Sequence, residues 1–148
     1  MTYDEIYQAF YLIVDKDFFS LDKDIAHEYM RKWIHNAFSE IHIRELFTSI
    51  SLDDEIEELS FELKDHLSKY SDINDFVKNI ISKYMKIAWI TQNVDTGVNL
   101  ALVIGGKDEK KLQSNYVQNI ARIKGLTSEL RKLITDYNSN NNSYIGGV

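Results

Sequence analysis

The chain has 148 residues, 44% of them hydrophobic, with no cysteine, no proline and a formal charge of −6. That is enough for one ordinary core. It excludes disulfides, thiolate ligands and a cysteine nucleophile, and no apolar run approaches the roughly 20 residues that cross a bilayer. The charge is uneven: residues 1–80 hold 18 acidic and 8 basic side chains, a net of −10, while residues 81–148 hold 5 and 9, a net of +4.

With Asp4 and Glu5 in its first ten residues the opening shows no secretory pattern, and an intracellular domain is expected. The absence of proline favours long helices. Tyr3–Val14 is predicted as the first, with Ile6, Phe10 and Ile13 on one stripe. A second starts near Asp22 or Asp24 and runs to about Ser39. Its Ile25, Tyr29, Trp33 and Ala37 recur every fourth residue beside Met30, Ile34 and Phe38, as in a central helix packed on two sides. A short segment, His42–Thr48, follows. Ser51-Leu52-Asp53-Asp54-Glu55 then reads as a helix start with early carboxylates. That helix would turn Ile56, Leu59, Leu63 and Leu67 inward. Ser71-Asp72 predicts another cap, opening a helix through Phe76, Ile80, Tyr84 and Ile87 to about Ile90.

Residues 91–108 are expected to be irregular, with Asn93, Gly97 and Asn99 as turn residues and Leu100–Ile104 as a short strand or loop wall. Leu112–Tyr137 reads as one long helix with Gly125 as a weak point or a close-packing position. The fold class is therefore mainly α: a helical bundle with a long C-terminal helix and an irregular or short β-containing loop before it. Residues 1–137 form the helical domain and 138–148 a flexible Asn/Gly-rich tail.

Chemistry is sparse. Gly106-Lys107 ends like a Walker loop, but Ala101 stands where the first glycine belongs and Asp108 where a Ser or Thr would bind magnesium. Gly105-Gly106 reads instead as a hinge or tight turn into the last helix. His27 and His35, eight apart, share a helical face without an H-E-x-x-H pattern. His42 and His66 lie elsewhere. No metal, cofactor or catalytic constellation is expected.

Asp53, Asp54, Glu55, Glu57, Glu58, Glu62 and Asp65 form an acidic run, read as a solvated helix face or a docking face for a basic partner. Lys107, Lys110 and Lys111 sit near the start of the last helix, where the dipole does not favour them. With Arg122, Lys124, Arg131 and Lys132 they make a basic counterpart. Many of the nine tyrosines read as core residues with their hydroxyls at the surface; Tyr3, Tyr7, Tyr11 and Tyr144 alternatively suit interface positions. Tyr144-Ile145-Gly146-Gly147-Val148 suits addition to a neighbour's sheet edge. The interface candidates are Tyr3, Tyr7, Glu58, Glu62, Gly105, Gly106, Lys107, Lys110, Lys111, Arg131, Lys132, Tyr144 and Ile145.

The order of elements resembles the small helical head–tail connectors, or neck adaptors, of tailed bacteriophages. The resemblance rests on the Tyr3–Val14 helix, the Trp33 helix, the Trp89-Ile90-Thr91 boundary, the Asn99-Leu100 to Gly106-Lys107 link, and the long helix ending in Leu130-Arg131-Lys132-Leu133-Ile134-Thr135-Asp136-Tyr137. It implies a non-enzymatic virion protein in the neck, made in the host cytoplasm, with portal and tail or neck proteins as partners and no membrane. It also implies a homo-oligomeric ring of about twelve copies, a dodecamer, around a DNA channel that touches packaged DNA without sequence specificity. The competing expectation is an intracellular helical regulatory or scaffolding module that binds one partner. An enzyme would need converging His, Asp, Glu or Tyr side chains that no motif announces.

Overall fold

The structure, a computed structural model, describes residues 1–67, 72–104 and 106–140, with the side chains of 95–104, 106–109, 111–113 and 140 outside the description. The fold is mainly α, with a small two-stranded sheet and a long C-terminal helix. Helix α1 (Tyr3–Tyr11) opens on a reciprocal capping box between Thr2 and Glu5. It stops three residues short of the expected Val14, and the chain passes through a 3₁₀ turn at Lys16–Ser20. Asp22, one of the two starts expected, caps α2 (Lys23–Ser39) by accepting from the amides of Asp24 and Ile25. A single turn, α3 (Ile41–Arg44), follows.

The main departure from expectation is next. The segment read as a helix from Ser51 is an antiparallel hairpin, β1 (Phe47–Asp53) and β2 (Glu58–Leu63), paired through Ile50↔Phe61, Ser51↔Ser60 and Leu52↔Leu59. Asp53 does not start a helix. It accepts from the amides of Glu55 and Ile56 and so caps the reversal, while Glu57 takes the left-handed conformation (φ 52°). Leu59, Leu63 and Leu67 are buried as the helical pattern required, yet Ile56, expected inward, is 64% exposed at the turn. Leu59, Phe61 and Leu63 also alternate at the strand period of two. A spacing of four residues satisfies both periods, and here the tertiary context chose the strand.

Helix α4 (Ile73–Ile104) and helix α5 (Gly106–Asn140) form a long antiparallel pair, about 48 and 52 Å in length. The irregular segment expected at 91–108 is therefore helical over Thr91–Ile104, and the sheet comes from 47–63 instead. The turn preference of Asn93, Gly97 and Asn99 does not break the helix there. Gly106 opens α5, so the two long helices meet where the glycine pair predicted a break; Gly105 itself lies outside the described residues. Helix α5 continues to Asn140, three residues past the expected end.

Helix α4, and not α2 as expected, is the central element, packed against α1, α2 and α5; Ile25, at the start of the apolar stripe expected on α2, is 45% exposed. Its Phe76, Val77, Ile80, Ile81, Met85 and Trp89 join Ile6 and Phe10 of α1, Trp33 and Ile34 of α2, and Leu130, Ile134 and Tyr137 of α5 in one core. Phe10, Phe18, Trp33 and Trp89 contact one another ring to ring, at centroid distances of 5.0 to 6.2 Å. At the other end Phe76 stacks on Tyr137.

Candidate interaction surfaces

Two histidines on α2 hold the turn of the hairpin. His27 Nε2 meets Glu57 Oε1 at 2.5 Å and His35 Nε2 meets Asp54 Oδ1 at 2.8 Å. Their eight-residue spacing, two helical turns, puts both on the face that receives the turn. The Tyr3 hydroxyl donates to the same Asp54 oxygen at 2.7 Å. That bond first, and His35 second, hold the Asp54 carboxyl below its ordinary value. Burial, reinforced by Asp54, pushes the Tyr3 phenol up. Tyr7 is also pushed up, mainly by burial; its ring packs edge-on to His27, and its hydroxyl has no hydrogen-bond partner among the described residues. Every carboxylate in this cluster is engaged with a neighbouring side chain, which is the arrangement of a latch. No group of three His, Asp or Glu side chains is placed to hold a metal ion among the described residues.

The interface candidates separate under this geometry. Tyr3 and Tyr7 are buried, so their rings belong to the core and offer nothing to a partner, a correction to the interface reading. An aromatic at a helix start looks the same in sequence whether its neighbours are solvent or a hairpin arriving from 50 residues away. Glu58 and Glu62 are exposed and do share a face, but on a strand, where residues 58, 60 and 62 align by alternation. Lys110, Arg131 and Lys132 are exposed on α5. Gly106 begins that helix, while the side chains of Lys107 and Lys111, together with Gly105, Tyr144 and Ile145, lie outside the described residues.

Arg122 is engaged rather than free. It donates to both oxygens of Asp15, at 2.7 and 2.9 Å, pinning α5 to the linker after α1 and drawing the Asp15 carboxyl down. Arg131 lines a hollow of about 230 Å³ with His42, Glu45, Leu46 and Asn138. The larger cleft, about 380 Å³, lies between the end of α1, the 3₁₀ turn and the start of α2. Tyr11, Phe18, Phe19, Ala26 and Met30 wall it, with Lys23 and His27 adding polar groups. Phe19 is 57% exposed at this site, and Leu12, just past α1, is 87% exposed. Of these residues only Tyr11 is expected at an interface from the sequence; the signal for the rest is an aromatic pair, Phe18-Phe19, in a segment that breaks the helical period.

No family model, curated protein or solved structure matches this chain.

Proposed function

We propose that the protein is a structural adaptor that works by assembly, a head–tail connector of a tailed bacteriophage. In this reading about twelve copies close a ring in the virion neck between portal and tail. The observation that carries the reading is the segregation of charge onto separate elements. The hairpin over 47–63 holds six carboxylates (Asp53, Asp54, Glu55, Glu57, Glu58 and Glu62) and no Lys or Arg. Helix α5 holds Lys107, Lys110, Lys111, Lys124, Arg131 and Lys132, besides the Arg122 that Asp15 engages, against four acids. Oppositely charged patches on different elements of one chain suit heterologous contacts, in which each copy gives one patch and receives the other. The long α4–α5 pair extends the surface available for such contacts. Acidic surface facing a channel lets DNA pass without adhering.

Native mass spectrometry across concentration, with imaging of large species, tests this. A closed ring is expected. Glu58→Lys with Glu62→Lys should disperse it, and Arg131→Glu with Lys132→Glu on the same chain should restore it. A chain that stays monomeric or dimeric, with or without a portal-type partner, overturns the reading. It would favour the second one, a non-catalytic module that grips an apolar segment of a single partner, which the aromatic cleft around Phe19 supports.

A further inference from the structure

The two strands differ in what lies beyond them. Beyond β2 the first residues of the chain act as a third strand. The Met1 ammonium donates to Leu59 O at 3.0 Å, Leu59 N donates to Met1 O at 2.7 Å, and Tyr3 N donates to Glu57 O at 2.8 Å. Leu59 thus turns both backbone groups toward Met1 and away from β1. Its facing pair with Leu52 is then of the non-hydrogen-bonded kind, and Leu52 must turn its own N–H and C=O away from β2. Ile50, two residues back and opposite Phe61, does the same. Among the described residues no backbone group bonds to these four. The outer side of β1 is an open sheet edge.

Natural edges are guarded by Lys, Pro or bulges, because an open row of amides and carbonyls templates another strand. Phe47–Asp53 contains no Lys, Arg or Pro, and its only charge is Asp53 at the end. Its register irregularity falls between Phe47 and Ser49, which leaves Ile50–Asp53 regular. Ile50 and Leu52 pack against the core yet stay half-buried, so one more strand would finish covering them.

We propose that this edge receives residues 141–148 of an adjacent copy by strand addition; the identity of the donor rests on the ring reading above. The eight residues reach about 26 Å when extended, against about 23 Å for the seven of β1. The segment is uncharged and carries Tyr144, Ile145 and Val148, types suited to a pleated, half-buried surface. An edge recognised through its backbone asks for no charge. Asn138 bonds His66 at 3.1 Å and shares a hollow with Leu46, the residue before β1. The segment therefore departs close to the start of this edge. Cyclic symmetry preserves height along the ring axis, so a neighbour's segment emerges at the same level.

The absence of cysteine makes a direct test clean. Ser51→Cys, on the exposed face of β1, is combined in turn with Ser143→Cys, Ile145→Cys and Gly147→Cys. One register is expected to give an intermolecular disulfide. The Ile50 and Leu52 amides of the full chain should exchange on the order of tenfold more slowly than in a chain ending at Asn140. A synthetic peptide of residues 139–148 should restore that protection to the shortened chain. If the full chain assembles while both amides exchange as fast as in the shortened one, the edge proposal falls and the ring reading stands. An exclusively intramolecular disulfide overturns the neighbouring donor. If the full chain does not assemble, the ring reading fails, and the peptide decides the edge: saturable protection upholds strand addition, none overturns it.

Discussion

Tyr3 and Tyr7 are both buried on α1 and look alike in sequence, but their hydroxyls differ. Tyr3 donates to Asp54, whereas the Tyr7 hydroxyl is buried without a partner among the described residues. A made hydrogen bond contributes about 1 kcal/mol, and a buried group left unpaired costs about as much. Tyr3→Phe should therefore lower stability by about 1 kcal/mol in urea unfolding, while Tyr7→Phe should leave it unchanged or raise it. The same bond makes Asp54 a source of acid sensitivity. Its carboxyl is held below the ordinary 3.8, so its stabilising contribution is complete above that value and is lost as pH falls through the lower, folded-state value. Because Asp54 is 45% exposed, solvent screening keeps the effect modest. In Asp54→Asn, melting temperature should fall less steeply below about pH 4 than in the parent chain. An identical acid slope would show that the latch contributes no pH dependence. No sequence pattern distinguishes the two tyrosines, because the distinction lies in a carboxylate 51 residues downstream of Tyr3.

Helices whose apolar period is long, α2 and the first half of α4, are legible in the sequence, although Ile25 of the expected α2 stripe is exposed and the sequence admits either Asp22 or Asp24 as the start of α2. The hairpin is not. Leu59, Leu63 and Leu67 fit a helical stripe, and Ser51 followed by carboxylates fits a helix start. The contrary signals, Thr48, Ile50 and Phe61 as strand formers and an Asp-capped reversal, acquire weight only once Met1–Tyr3 pairs with β2. Gly125 tests element-scale reasoning in the other direction. A Cβ placed there meets nothing within 4 Å, so the glycine is a weak point in α5 and not a close-packing site. Gly125→Ala should add about 0.5–1 kcal/mol to stability and raise the melting temperature by a few degrees. A loss of stability would mean that α5 needs the flexibility. If assembly alone suffered, that flexibility would serve the oligomer.

At the scale of the molecule, the acidic and basic halves predicted from composition resolve into a carboxylate-rich hairpin and a lysine- and arginine-rich α5. Salt provides a further check on the proposed contacts. A ring held by such patches should weaken between low ionic strength and about 0.5 M salt as screening shortens to a few ångströms. Native mass spectra collected along that series would show the largest species receding. A ring indifferent to salt would instead assign its contacts to apolar surface or backbone pairing, of the kind the β1 edge offers.

The sequence by itself determined the class of fold, most of the apolar residues of α2 and of the first half of α4, the long last helix and the imbalance of charge. These follow from periodicity and composition, which act along the chain. Only the tertiary structure decided that 47–63 is a hairpin, that Tyr3 and Tyr7 are core, that Arg122 is engaged by Asp15, and that among the described residues one sheet edge is closed while the other is open. Each of those outcomes depends on groups far apart in the chain meeting in space. Local preferences differ by tenths of a kcal/mol per residue, and the burial and hydrogen bonds gained at such meetings outweigh them.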